Sequence, residues 1–241
     1  GDQVYWFVEG DKVTRSFFQD DEKRIDSVEQ IFEYNPAVVI APANSIPSFL
    51  PGLKVSVFHG FDAGKLDSRG RNDHFKIRDC FDLYCTQGPS TTAGFLQLQQ
   101  NHGFFNVIET GWPALDPLFE KNATASNNTR PVIFLGSTFT SSLTQAKYLF
   151  PQVRDLSRSM NWQWIVSLHP KSKEEVVASY RSIAGDNLCY IDTDDMIPIL
   201  READIMVGDT SSALTMFIVQ NKPVVTVKNI DPKDYFINIS D

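Results

Sequence analysis

The sequence predicts an α/β fold of two Rossmann-like, doubly wound halves, each built on a parallel sheet, and three observations carry that expectation. Short apolar runs rich in Val, Ile, Leu and Phe alternate with amphipathic stretches of helical period along most of the 241 residues. Several of these runs end on a histidine or on turn residues, as at His59-Gly60, His169-Pro170 and Gly208-Asp209, the pattern of strands handing the chain to loops. The most polar and least periodic stretch, Lys121 to Arg130, interrupts the series. We therefore expect one domain over residues 1–120, a linker over 121–130 and a second domain over 131–241.

In the first half, Val4 to Val8 is an aromatic, β-branched run closed by Glu9-Gly10, which suits a strand. Ile25 to Tyr34 has the spacing of an amphipathic helix with Ser27 near its start. Ala37 to Ala41 reads as a buried strand, Pro42-Ala43-Asn44 as a turn, Ser45 to Leu50 as a short helix, and Leu53 to Phe58 as a strand ending on His59-Gly60. The polar residues Asp62 to Asp73 hold nothing that could form a core, so they are expected to loop over the site. Phe81 to Thr86 returns to strand character. After Gln87-Gly88-Pro89, Ser90 to Asn101 reads as a helix and Phe105 to Glu109 as a strand.

The second half is more regular. Strands over Pro131–Leu135, Gln163–Leu168 and Leu188–Ile191 alternate with helices over Ser142–Met160, Ser172–Ile183 and Asp194–Glu202. The stretch Ala203 to Val227 then supplies a strand up to Val207, a turn at Gly208-Asp209, a helix over Thr210–Gln220 and, past Lys222-Pro223, a last strand. Five strands alternating with four helices make a doubly wound sheet, where ligands bind beyond the carboxyl ends of the strands. Gly208, Asp209, Thr210, Ser211 and Ser212 bring backbone N–H groups and three hydroxyls to a helix start. That chemistry suits a phosphate, although the same residue types also serve as plain helix caps.

Composition narrows the function. With 42% hydrophobic and 22% charged residues the chain is long enough for a full core and is not of disordered type. A net charge of −8 argues against nucleic acid as a partner, since a phosphate backbone needs clustered Lys and Arg. The three cysteines, Cys80, Cys85 and Cys189, cannot all pair within the chain and have no metal-ligand spacing, so they read as free thiols of a reducing compartment. No apolar run approaches the roughly 20 residues of a membrane helix, so any membrane contact would be peripheral. The chain begins at Gly1 rather than Met, as a trimmed segment would.

Four positions fall where strand ends converge in such a fold: His59, Ser137-Thr138, His169 and the Gly208–Ser212 turn. A histidine there can take a proton near neutral pH or, when protonated, offset phosphate charge. His74 and His102 lack that placement. No P-loop, G-x-G-x-x-G, G-x-S-x-G or zinc spacing is present, so nucleotide triphosphate, classical dinucleotide, serine-hydrolase and zinc chemistry are not expected. Asp192-Thr193-Asp194-Asp195 reads as a helix cap, and Trp162 and Trp164 as packing residues around a strand.

Phe58-His59-Gly60, Thr110-Gly111-Trp112-Pro113-Ala114-Leu115-Asp116, Ser167-Leu168-His169-Pro170 and Ala203-Asp204 through Gly208-Asp209-Thr210-Ser211-Ser212 to Asn221-Lys222-Pro223-Val224-Val225 resemble, in order and spacing, the CDP-glycerol glycerophosphotransferase family of teichoic-acid-type polymer synthesis. The resemblance runs from about Val55 to the end of the chain. It implies a GT-B fold, two Rossmann-like domains facing a cleft, and catalysis by His59 and His169. His59 would stand where the family has the base that activates an acceptor hydroxyl. His169 and the hydroxyls of Thr210, Ser211 and Ser212 would hold the donor's phosphates, and CMP would leave. Where better-studied members carry an arginine, this chain has Ser137-Thr138-Phe139-Thr140-Ser141-Ser142. The first half is also short for a full GT-B domain.

The expected partners are therefore a nucleotide-activated donor and a polymer or lipid-linked acceptor, with no nucleic acid, metal or cofactor. The expected place is the cytoplasm or the inner face of the cell membrane. Within the same fold, the alternative is a glycosyltransferase or sugar-nucleotide epimerase using a UDP-sugar. Outside catalysis, it is a nucleotide-binding module without turnover.

Overall fold

A computed structural model describes residues 3–8, 18–62, 64, 66–67, 69–120, 129–193, 195–209 and 211–228. Most of the expected linker, residues 121–128, lies outside them, as does Asp194. The chain divides into two compact units, Gly1–His59 with Ile77–Gly111, and Gly60–Lys76 with Trp112–Asp241. The passage between units thus falls at Gly111 and Trp112, ahead of residues 121–130, and the polar segment after His59 belongs with the second unit.

In the first unit, β1 (Tyr5–Phe7) and β2 (Lys23–Ile25) form a small parallel pair. Next comes α1 (Val28–Tyr34), then a parallel sheet of β3 (Val38–Ala41), β4 (Leu53–Ser56), β5 (Leu83–Thr86) and β6 (Asn106–Glu109) in that spatial order. Helix α2 (Pro89–His102) joins β5 to β6. Ser27 caps α1 by accepting the Gln30 N–H at 3.3 Å. The helix starts later than Ile25 because Ile25 pairs with Phe7 in β2 and is buried with Ile31 and Leu50.

The helix expected over Ser45–Leu50 does not form. Pro47 has no N–H to give, and Pro51 disfavours a helical Leu50, so the chain makes a single turn that drops Leu50 into the core. One face of the sheet packs on α2 through Tyr84, Phe95 and Phe105, with Tyr84 and Phe95 centroids 4.7 Å apart. On the other face, Ile40 and Ile108 remain 65% and 53% exposed.

The second unit runs β7 (Val132–Ser137), α3 (Ala146–Ser159), β8 (Gln163–Leu168), α4 (Glu174–Ser182), β9 (Leu188–Tyr190), α5 (Ile197–Glu202), β10 (Ile205–Gly208), α6 (Ser212–Ile218) and β11 (Val224–Thr226). All strands are parallel, in the order β11-β10-β7-β8-β9. With β7 as strand 1 this is the Rossmann order 3-2-1-4-5, and its switch point lies between β7 and β10. Strand alternation builds two cores. Val132, Phe134, Ile165 and Met206 face α5, α6 and the 3-10 turn that holds Leu115 and Leu118. Ile133, Leu135, Trp164 and Val166 face α3 and α4.

Candidate functional site

Beta-strands β7 and β10 both reach the switch point on glycine, and the two glycines are register partners. A side chain on Gly136 would meet Phe134 at 2.8 Å, and one on Gly208 would meet the Gly136 carbonyl at 3.1 Å. Backbone crowds Gly208 and the Phe134 and Met206 side chains crowd Gly136, so a side chain at either position would force its neighbours to shift. Just beyond them the carboxylate of Asp209, only 2% exposed, accepts from the Ser137 hydroxyl, from the Thr138 N–H at 2.8 Å and from the Gln145 N–H at 2.8 Å. Ser137 and Thr138 are themselves buried, and Ser137 Oγ also lies 2.9 Å from Thr144 Oγ1. Helix α3, expected from Ser142, therefore starts at Ala146: the Gln145 N–H is bonded to Asp209 and the Leu143 and Thr144 N–H groups close a turn on Thr140.

His169 follows β8 and is exposed. Its Nδ1 accepts the Lys171 N–H at 3.0 Å, so in the neutral ring the proton sits on Nε2. Phe139 lies against the imidazole with centroids 4.3 Å apart, and the Lys171 ammonium stands 5.4 Å from the Phe139 ring. Beside Phe139 a hollow of about 140 Å³ runs between the first turns of α3 and α4, bordered by Ser141, Thr144, Lys147, Ser172 and Lys173.

Helix α6 occupies Ser212–Ile218, shorter than the expected Thr210–Gln220. Ser211 caps it by accepting the Ala213 N–H at 3.3 Å. Ser212 adjoins Gly60, where a side chain would meet its hydroxyl at 3.1 Å. Thr210 lies outside the described residues. Ahead of Gly60, Phe58 takes a φ of 57°, a left-handed conformation that a bulky residue holds only when packing compels it. Its buried ring packs on Phe95 at 5.3 Å, and the turn leaves His59 exposed. The Nδ1 of His59 lies 3.1 Å from the Pro42 carbonyl. A carbonyl only accepts, so Nδ1 carries a proton, and in the neutral ring Nε2 keeps the lone pair.

The polar segment after Gly60 is ordered by its own carboxylates. Asp62 accepts from the Gly64 N–H at 2.7 Å and from Asn72 at 2.8 Å, and Phe61 packs on Trp112 with centroids 5.1 Å apart. The Arg71 N–H, followed by its guanidinium, holds the Asp67 carboxyl down at about 2. Among the described residues no group of His, Cys, Asp and Glu is arranged to hold a metal ion, and no helix is long and apolar enough to cross a membrane.

No known family model matches the sequence, and no curated protein is detectably similar to it. Solved structures do match. An S. aureus MnaA-UDP co-structure superposes with a TM-score of 0.58 at 14% identity, over 88% of this chain and 68% of that one. The wall teichoic acid polymerase TagF soaked with CDPG gives 0.59 at 13% identity, over 86% and 57%. A putative UDP-N-acetylglucosamine 2-epimerase from Listeria monocytogenes gives 0.56 at 16% identity, over 85% and 60%. The fold is GT-B-like.

In this GT-B-like chain the second unit gathers Ser137, Thr138, Gly208 and Asp209 at one strand switch, with His169 alongside through Phe139. His59 stands on the first unit. Sequence reasoning missed Phe139, Gln145 and Lys171. Phe139 left one trace, an aromatic set among hydroxyl residues in the segment from Ser137 to Ser142. Gln145 and the backbone of Lys171 act through main-chain N–H groups, which no residue type announces.

Proposed function

We propose that the chain is a phosphotransferase that moves glycerol phosphate, or a related alditol phosphate, from a CDP-activated donor to a hydroxyl of a cell-surface polymer precursor, releasing CMP. The observation that carries this reading is the opposite bonding of the two Nδ1 atoms, one to a carbonyl and one to an N–H, which in the neutral rings gives His59 a lone pair at Nε2 and His169 an N–H there. The first suits a general base and the second a donor to phosphate oxygen. The acceptor hydroxyl gives its proton to His59 Nε2 as its oxygen bonds to the phosphorus next to glycerol. The bond from that phosphorus to the CMP oxygen breaks, and CMP leaves with the electron pair.

Catalysis then rests on positioning and charge stabilisation. His169 and the hydroxyls of Thr210, Ser211 and Ser212 serve the donor's phosphates, on a floor shaped by Ser137, Thr138, Gly208 and Asp209. The match to TagF soaked with CDPG supports a cytidine donor. The match to the MnaA-UDP co-structure favours a second reading, a glycosyltransferase or epimerase using a UDP-sugar.

Thermal unfolding with CMP, CDP-glycerol, UMP, UDP and UDP-N-acetylglucosamine separates the two. A ligand at about 100 times its Kd adds about 2.7 kcal/mol, a rise of several degrees in a chain of this size. A shift with cytidine compounds alone is expected, a shift with uridine compounds alone moves the assignment to the UDP-sugar reading, and no shift with any of them sinks both. His59→Ala should abolish CMP release from CDP-glycerol and keep the cytidine shift; wild-type turnover in that variant would remove His59 from the chemistry.

A further inference from the structure

Asp209 lies in the turn assigned to the donor's phosphates, yet its carboxylate is buried and already accepts, among the described residues, from the Ser137 hydroxyl and the N–H groups of Thr138 and Gln145. A carboxylate has only acceptors to offer, and its negative charge repels phosphate. The connection from β7 to α3 begins at Thr138 and ends at Gln145, so Asp209 grips it at both ends, and Ser137 closes the strand just before it. Between those grips stands Phe139, whose ring lies 4.3 Å from the His169 imidazole.

We infer that Asp209 is a positioning residue: it acts on the donor through the β7–α3 loop and Phe139, which together orient the Nε2–H of His169. The inference rests on His169 serving the donor phosphates as proposed above. The path is continuous. Asp209 sets both ends of the loop, the loop sets Phe139, and Phe139 covers one side of the imidazole while the Lys171 N–H holds Nδ1. Phe139 is 38% exposed, so its contact with His169 is not the packing of a deep core.

The test is a double-mutant cycle, read by calorimetric binding of whichever of CDP-glycerol and UDP-N-acetylglucosamine stabilises the wild type. Phe139→Ala and Asp209→Asn should each raise Kd about tenfold, equivalent to about 1.4 kcal/mol. The double variant should be scarcely weaker than either single one, because both changes interrupt the same path. Should Asp209→Asn fail to fold, Ser137→Ala removes one donor to its carboxylate and should weaken binding about threefold, again without adding to Phe139→Ala. In 15N spectra His169 should show the Nε2–H form in the wild type and a mixture of tautomers in Phe139→Ala.

Loss of binding in Asp209→Asn with a wild-type Kd in Phe139→Ala would overturn the inference and make Asp209 a direct ligand. Additive losses, or no loss in either, would overturn it too. His169→Ala is the control: a wild-type Kd there sinks the phosphate role of His169 and this inference together. Weakened binding there, with the other variants unaffected, sinks this inference alone.

Discussion

Tyr180 is fully buried, and its hydroxyl donates to the Ala146 carbonyl at 2.7 Å, tying α4 to the first turn of α3. Burial, and then the charge of Asp209, push its pKa well above the usual phenol range. Replacing it with Phe keeps the ring packed on Phe150 and removes one buried hydrogen bond. Tyr180→Phe should therefore cost about 1 kcal/mol, read as a fall in Tm of about 3 °C. An unchanged Tm would mean that the bond adds nothing to folding. His59 and His169 make the same point about chemistry: one ring bonded to a carbonyl and the other to an N–H are the same residue with opposite capacities.

At the scale of elements, Lys222 joins two that are distant in sequence. It sits in the turn between α6 and β11, and its ammonium donates to the carbonyls of Leu200, Arg201 and Ala203 at 3.0, 2.7 and 2.8 Å. These are the carbonyls that the end of α5 leaves without helical partners. Burial draws the lysine's pKa down, and the charge of Asp204 works against that. Lys222→Met keeps the stem and takes the ammonium from all three carbonyls, of which that of Leu200 keeps the Gln220 amide at 3.1 Å. It should lower stability by about 2 kcal/mol and Tm by about 5 °C; a Tm within about 1 °C of wild type would show that water replaces the ammonium at no cost.

A second device recurs in both units. Asp82 and Asp204, each just ahead of a strand, accept an N–H at the start of the neighbouring strand, that of Lys54, second in β4, or of Val132, first in β7, at 2.8 Å. Both then return their own N–H to that residue's carbonyl. The pair sets strand register where the ladder begins.

On the scale of the whole molecule, the second unit is buried on both faces of its sheet, whereas the first leaves Ile40 and Ile108 exposed on one face. Two buried phenols couple this packing to pH. Tyr84 is raised to about 12, chiefly by burial, and Tyr180 is raised as well. The unfolded phenols ionise near pH 10, so the folded chain holds more protons than the unfolded chain above that pH. Their contribution is complete below about pH 10 and is lost as pH rises through about 12. The Tm should thus fall across that interval, and Tyr180→Phe should fall less steeply than wild type. Parallel curves would exclude Tyr180 as a source of the loss.

The sequence by itself determined that the fold is α/β with parallel sheets, and the order of strands and helices in the second half. Apolar periodicity reports burial directly, and strand runs such as Gln163–Leu168 are read from it without knowledge of their neighbours. It also marked the strand ends that carry His59, His169 and Asp209. Its errors are local: Ser45–Leu50, Ile25 and the start of α3, where a proline, a strand partner or a distant carboxylate outweighs helical spacing. Only the tertiary structure decided what each marked residue bonds to. The tautomer of His59 depends on the Pro42 carbonyl, that of His169 on the Lys171 N–H, and the burial of Asp209 on a loop 64 to 72 residues away in sequence. A hydrogen bond takes its meaning from the partner, and folding chooses the partner.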